Sequence, residues 1–153
     1  MSIPARLTRA EGEWTGPSLL CFAPGQPTIT CESTAHVTRE VNGTALMMRY
    51  DWSFEGKPHQ GVLLLSDDAG SSRCEISWMD SFHYANRMML LTGALAGDGE
   101  INVRGAYPAP TGPDWGWRMT LEMPDAVTLL LRMFNITPDG QEAWAVEATY
   151  RRR

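Results

Sequence analysis

The segment Leu46-Met47-Met48-Arg49-Tyr50-Asp51-Trp52-Ser53-Phe54 alternates residue by residue until Glu55-Gly56-Lys57-Pro58 stops it. One side collects Leu46, Met48, Tyr50, Trp52 and Phe54, and the other collects Met47, Arg49, Asp51 and Ser53. A period of two marks a half-buried β-strand, because successive side chains leave an extended backbone on opposite faces. The break that follows is turn chemistry, so the next apolar stretch, Gln60 to Ser66, is expected to return alongside as an antiparallel partner.

The same reading extends outward in both directions. About ten strands are predicted: Glu13 to Phe22, Thr28 to His36, Thr44 to Phe54, Gln60 to Ser66, Cys74 to Asp80, Met88 to Gly93, Glu100 to Gly105, Gly116 to Met123, Ala126 to Phe134 and Glu142 to Arg151. Between them stand further turn signals, among them Asp67-Asp68-Ala69-Gly70, Gly97-Asp98-Gly99, Met123-Pro124-Asp125 and Thr137-Pro138-Asp139-Gly140. No helical stripe runs beyond about two turns, although Ser81 to Met89 admits one short turn of helix after Asp80. An open sheet of this size would expose two edges and an apolar face. Closure into a barrel, or folding into two packed layers, is therefore expected. Gly105-Ala106-Tyr107-Pro108-Ala109-Pro110-Thr111-Gly112-Pro113-Asp114 cannot be a central strand and reads as a rim loop, either a connector or a lid.

The chain has 153 residues, enough for one domain with a sizeable core, and 43% hydrophobic against 20% charged residues argues against disorder. Thirteen Lys+Arg face eighteen Asp+Glu, for a net charge of -5. Lys57 is the only lysine and Arg151-Arg152-Arg153 the only dense positive run, so no nucleic-acid partner is expected. Met1 to Leu7 lacks the apolar stretch of a signal peptide, and Val62-Leu63-Leu64-Leu65 is far too short to span a bilayer. The expectation is a cytoplasmic protein with no membrane partner. Cys21 and Cys31 would stand opposite one another if their hairpin centred on Gln26. In a reducing compartment, however, the three cysteines are expected as free thiols.

Nine Met and six Trp suit either an adaptable cavity lining or a solid core. Candidate lining residues are Tyr50, Trp52, Trp78, Trp117, Met119 and Phe134, with Arg49, Arg118 and Asp80 as polar anchors for a ligand. Within Trp115 to Met123 the apolar face is Trp115, Trp117, Met119, Leu121 and Met123. Arg118 and Glu122 lie opposite it, forming either a solvated ladder with Arg49 or Arg132 or a polar floor. Trp78 and Asp80 share a face and His83 follows at the strand end. A carboxylate there either orients the imidazole or caps the turn by accepting backbone hydrogen bonds. There is no nucleophile motif, phosphate loop or Cys-x-x-Cys pair. His36, His59 and His83 lack the spacing of a metal site, so neither a metal nor another cofactor is expected.

Gly12-Glu13-Trp14-Thr15-Gly16, Pro24-Gly25 in the first turn, Val41-Asn42-Gly43-Thr44-Ala45-Leu46 and Trp78-Met79-Asp80-Ser81 together resemble the bacterial domain-of-unknown-function family 1579. The resemblance covers residues 7–151, taken as a single domain with 1–6 as an N-terminal extension and 152–153 as a C-terminal tail. It implies a calycin- or lipocalin-like up-and-down antiparallel β-barrel with Trp14 near its closed end and an internal cavity, and no established chemistry. Where that family carries a Gly-Tyr-Asp turn, this chain has Leu65-Ser66-Asp67-Asp68. The opening also resembles that of nitrobindin-type haem barrels, but no histidine follows His83 to serve as a late proximal ligand.

Three functions follow as expectations. The first is a non-enzymatic barrel holding a small, largely apolar molecule in its interior. The second is a solid-core structural or interaction protein acting as an oligomer, for which a two-fold homodimer is the assembly to expect. The third is an enzyme in which Asp80 or Glu122 serves as acid or base and an arginine stabilises developing negative charge.

Overall fold

The computed structural model describes residues 5–68, 71–96 and 99–153. The predicted breaks at Ala69-Gly70 and Gly97-Asp98, and the first four residues of the predicted extension, lie outside the described residues. One turn of helix, α1 (Ala5–Thr8), precedes ten strands. They are β1 (Gly12–Leu20), β2 (Ile29–Glu40), β3 (Ala45–Phe54), β4 (Lys57–Asp68), β5 (Arg73–Asp80), β6 (Met89–Leu95), β7 (Ile101–Tyr107), β8 (Trp115–Asp125), β9 (Thr128–Ile136) and β10 (Glu142–Arg152). Each strand pairs antiparallel with its neighbour in sequence and β10 closes on β1, so the molecule is a closed up-and-down barrel and not two layers. Closure removes both sheet edges, as the exposed-edge argument requires.

All ten predicted strands are present. The alternation that predicted β3 is realised in its burial: Leu46, Met48, Tyr50 and Trp52 are buried while Arg49, Asp51 and Ser53 are exposed. Corresponding residues of the other strands, among them Trp14, Leu63, Ile76, Leu91, Val103, Met119 and Leu131, meet along the axis in one core. The burial of Trp14, Trp78 and Met119 to 1% exposure or less shows a filled interior, which stabilises by roughly 25 cal/mol for each Å² of apolar surface removed from water.

The two ends differ. At the first, α1 places Leu7 in the core, and the Trp14 indole N–H donates to the Ala10 carbonyl at 2.8 Å. The Arg152 guanidinium lies 4.3 Å over the Trp14 ring and donates to the carbonyls of Arg9, Glu11 and Ala126, stitching the last strand to the N-terminal turn. That end is closed. At the other end lie residues 21–28, 55–56, 81–88, 108–114 and 137–141, and this is the mouth.

Three local expectations change. Residues 81–86 form successive turns and not a helix, because the Asp80 side chain captures backbone N–H groups there. The α1 turn was missed because four residues are too few for any periodicity to register. The first hairpin places Leu20 opposite Ile29, so its centre falls between Pro24 and Gly25 and Cys31 faces Ser18. Cys21 instead donates to the Ala23 carbonyl at 3.2 Å, and all three cysteines are free. No helix among the described residues is long and apolar enough to cross a membrane.

Candidate functional site at the barrel mouth

Asp80 is the last residue of β5 and its side chain is 99% shielded, with 1% exposure. A carboxylate can sit there only if its oxygens find donors to replace water. Oδ2 accepts from the Tyr50 hydroxyl at 2.7 Å and the Trp52 indole N–H at 3.3 Å. Oδ1 accepts from the backbone N–H groups of Phe82 at 2.8 Å and His83 at 3.0 Å. The Trp78 indole N–H in turn donates to the Tyr50 hydroxyl oxygen at 2.9 Å. Burial and the neighbouring Asp80 charge push the Tyr50 pKa well above that of an ordinary phenol. The alternation of β3 and β5 thus aims one polar cluster inward, and Asp80 folds the following turn back over it.

That turn delivers His83 into the mouth. Its ring stacks on Trp52 at 5.5 Å and 18°, with Trp117 at 5.9 Å and the edge of Phe82 at 5.1 Å. Burial lowers its pKa below the ordinary 6.5, against the opposing pull of Asp80 and with a further push from His59. Closure has brought His59 and His83 to the same end, both against Trp52 and Phe82, while His36 stands apart beside Glu13.

His83 separates two spaces. On the axial side, a cavity of about 10 Å³ bordered by Ser18, Ser33, Tyr150 and Asp80 has room for about one water molecule. There the Ser33 hydroxyl donates to the Asp51 carbonyl at 2.9 Å and accepts from Tyr150 at 2.8 Å. Gly16 permits this meeting: it pairs with Ser33 across β1 and β2, and a Cβ on it would collide with the Thr149 carbonyl and crowd the Tyr150 Cα. On the solvent side, a crevice of about 90 Å³ is walled by Phe22, Pro24, Trp117, Asn135 and Trp144. A β-bulge between Trp144 and Val146 skips Ala145 in the pairing with β9, and Ala145, whose carbonyl accepts from the Cys21 N–H at 2.9 Å, borders this crevice.

Of the predicted site residues, Tyr50, Trp52, Trp78, Asp80 and Trp117 meet at the mouth, and Met119 is buried deeper on the axis. Arg49, Arg118 and Phe134 correct the expectation, since each alternates with an inward neighbour and lies on the outer face. Arg49 is exposed. Arg118 donates to Glu142 at 2.6 Å and lies 4.0 Å over the Phe134 ring. Glu122 joins the outer ladder, 3.4 Å from Arg132, which is also 3.9 Å from Glu147. An interior polar floor of Arg118 and Glu122 is therefore absent, and all four acceptor positions of Asp80 are engaged in holding structure. Ser33, Tyr150 and Asn135 were missed; the small inward residues of β2 were visible in its alternation, but their partners depend on register.

No group of three or more His, Cys, Asp and Glu side chains among the described residues is placed to hold a metal ion. Nor do the residues fit a haem: the crevice is far smaller than a porphyrin, and the rings of His59 and His83 are packed against tryptophan.

The geometry explains the opening Gly-x-Trp-x-Gly. Gly12 adopts a φ of 132° beside Arg152, Trp14 plugs the closed end, and Gly16 lets Tyr150 approach Ser33. Among solved structures, the chain is similar to the crystal structure of Rv2717c from M. tuberculosis, with a TM-score of 0.66, 15% identity and coverage of 100% of this chain and 99% of that one. At that identity the likeness is one of fold. No curated protein matches the chain. The family model described as "Protein of unknown function (DUF1579)" matches residues 4–152, the whole barrel and nearly the whole chain, and the chain belongs to that family.

Proposed function

We propose that the protein binds a small, largely apolar molecule at the mouth of its barrel, in the crevice whose inner wall is the His83 ring. The observation that carries this reading is the contrast between an axial cavity beside Asp80 with room for about one water and an aromatic crevice of about 90 Å³ at the rim. The ligand space is thus moved from the interior, where the sequence led us to expect it, to the mouth. Its lining joins aromatic walls to polar groups on fixed strands, the two ingredients of small-molecule recognition. The elements behind it are strands held by closed pairing, which is the rigid support that a recognition site needs. A reducing, cytoplasmic setting belongs to the same reading, and the three free thiols support it.

Native mass spectrometry of protein purified from its own cells without refolding tests this directly. A stoichiometric small molecule, released on denaturation, is expected. A bare chain whose tryptophan fluorescence is also indifferent to small aromatic probes would count against binding.

A second reading, self-association as a two-fold dimer, is favoured by the outer face of β3 to β6. Met47, Leu64, Ser77 and Leu90 stand directly opposite one another across these strands, with Leu64 and Leu90 39% and 58% exposed and Met79 and Met88 nearby. A row of exposed apolar side chains on an otherwise charged surface suits an isologous contact with a second copy.

A further inference from the structure

We propose that the Trp117 indole N–H is the polar anchor of the mouth site and selects an uncharged ring compound bearing a carbonyl oxygen. The inference rests on the mouth-binding reading above and adds the chemical class of ligand. Trp117 is 7% exposed, yet its Nε1 is a buried polar atom with no hydrogen-bond partner among the described residues. The neighbouring indoles are satisfied within the Asp80 cluster, Trp52 by the carboxylate and Trp78 by the Tyr50 hydroxyl. A buried donor left unpaired is costly and uncommon, and it gains most from an acceptor delivered by a ligand.

The surroundings specify that acceptor. Trp117 and Asn135 border the same crevice. The Asn135 Oδ1 already accepts from the Tyr107 hydroxyl, which leaves its Nδ2 as a donor. The Cys21 thiol is committed to the Ala23 carbonyl. Each of these two crevice residues thus carries an uncommitted donor, and a ligand that reaches them must bring oxygen. No Lys, Arg, Asp or Glu lines the crevice, and burial disfavours the charged form of the His83 imidazole, so a carboxylate or phosphate would enter without a fixed counter-charge. A carbonyl satisfies the N–H groups without that penalty. The ring requirement comes from the walls: Trp117 stacks on Trp78 at 5.5 Å and 8°, with Phe22, Trp144 and His83 completing an aromatic surround.

The test is a pair of titrations followed by nitrogen–proton correlation spectra, with acetophenone and its carbonyl-free analogue ethylbenzene as probes and benzoate as the charged comparison. The Trp117 Nε1–H signal is assigned by its loss in Trp117→Phe. Acetophenone is expected to shift that signal together with the Ala143 and Ala145 amides, and to bind about five- to tenfold tighter than ethylbenzene, the factor one neutral hydrogen bond supplies. In Trp117→Phe the preference for acetophenone over ethylbenzene should fall by that factor. Equal binding of both to the wild type, with the indole signal unmoved, would overturn the anchor while leaving mouth binding intact. Tighter binding of benzoate would overturn the choice of an uncharged ligand. If no probe moved the crevice amides, mouth binding itself would fall and the anchor with it. If Trp117→Phe folds poorly, the indole signal is assigned in the wild type from its through-space contacts to Trp78 and His83, and the wild-type titrations decide these outcomes.

Discussion

Asp80 illustrates how a single side chain can serve architecture at the place where chemistry would be sought. A buried carboxylate beside an imidazole suggests proton transfer, but its four hydrogen bonds run to Tyr50, Trp52 and the backbone of Phe82 and His83, so its role is to shape the turn. Replacing Tyr50 by Phe removes a donor to Asp80 and an acceptor for Trp78 without changing the ring. We expect a loss of about 2–4 kcal/mol in urea unfolding, more than one ordinary hydrogen bond, because the buried Trp78 N–H is left unpaired and the Asp80 carboxylate loses its shortest donor. His83 makes a pH-dependent contribution of known sign. Its folded pKa lies below 6.5, so below that pH the unfolded chain takes up the proton more readily. The stabilisation is fully present above about pH 6.5 and is lost as pH falls through the folded value. Urea midpoints measured between about pH 7.5 and 5.5 should fall with acidity, and more shallowly in His83→Gln. An identical slope in the two proteins would remove His83 from the account.

Among the elements, the two barrel ends are built by opposite means. The closed end depends on one helical turn, whose Leu7 is 1% exposed, and on the Arg152 guanidinium that spans Trp14 and three backbone carbonyls. Leu7→Ala should therefore open a void under α1 at a cost of about 2–3 kcal/mol, as large-to-small core changes do. For a domain of this length that corresponds to a fall in Tm of about 4–12 °C, readable by scanning calorimetry. The mouth, by contrast, is closed by residues 81–88, which have no regular structure and are held at their start by Asp80. Loss of Leu7 should leave the mouth spectra unchanged, since the two ends share no loop.

For the whole molecule, closure turns every strand's alternation into an inside and an outside, and the outside is not uniformly polar. Arg118, Glu142, Glu122, Arg132 and Glu147 form a charged ladder on β8 to β10, whereas β4 to β6 expose Leu64, Met79 and Leu90. Leu90→Glu is expected to leave the melting temperature nearly unchanged, because residue 90 is 58% exposed, and to shift a self-associating species to monomer in sedimentation velocity. Sedimentation of the wild type as a monomer at high concentration would remove the dimer reading.

The local code was legible because it is local. Period-two alternation, turn residues at strand ends and the absence of long helical stripes yielded ten strands, and the need to hide sheet edges limited their arrangement. Tyr50, Trp52, Trp78, Asp80 and Trp117 could be named for the same reason, as each lies on an apolar face near a strand end. Which residues meet across the sheet was not legible, because it depends on register, and a shift of one residue reverses a side chain's face. The first hairpin is centred between Pro24 and Gly25, which separated Cys21 from Cys31, and Gly16 brought Ser33 to Tyr150 over more than a hundred residues of chain. Phe134 passed from inside to outside on the parity of β9, where Met133 and not its neighbour points to the axis. Whether the barrel is hollow depends on how ten inward faces fill one volume. Alternation assigns a side chain to a face, but only packing in three dimensions leaves a cavity of about 10 Å³ beside Asp80 and an aromatic crevice at the mouth.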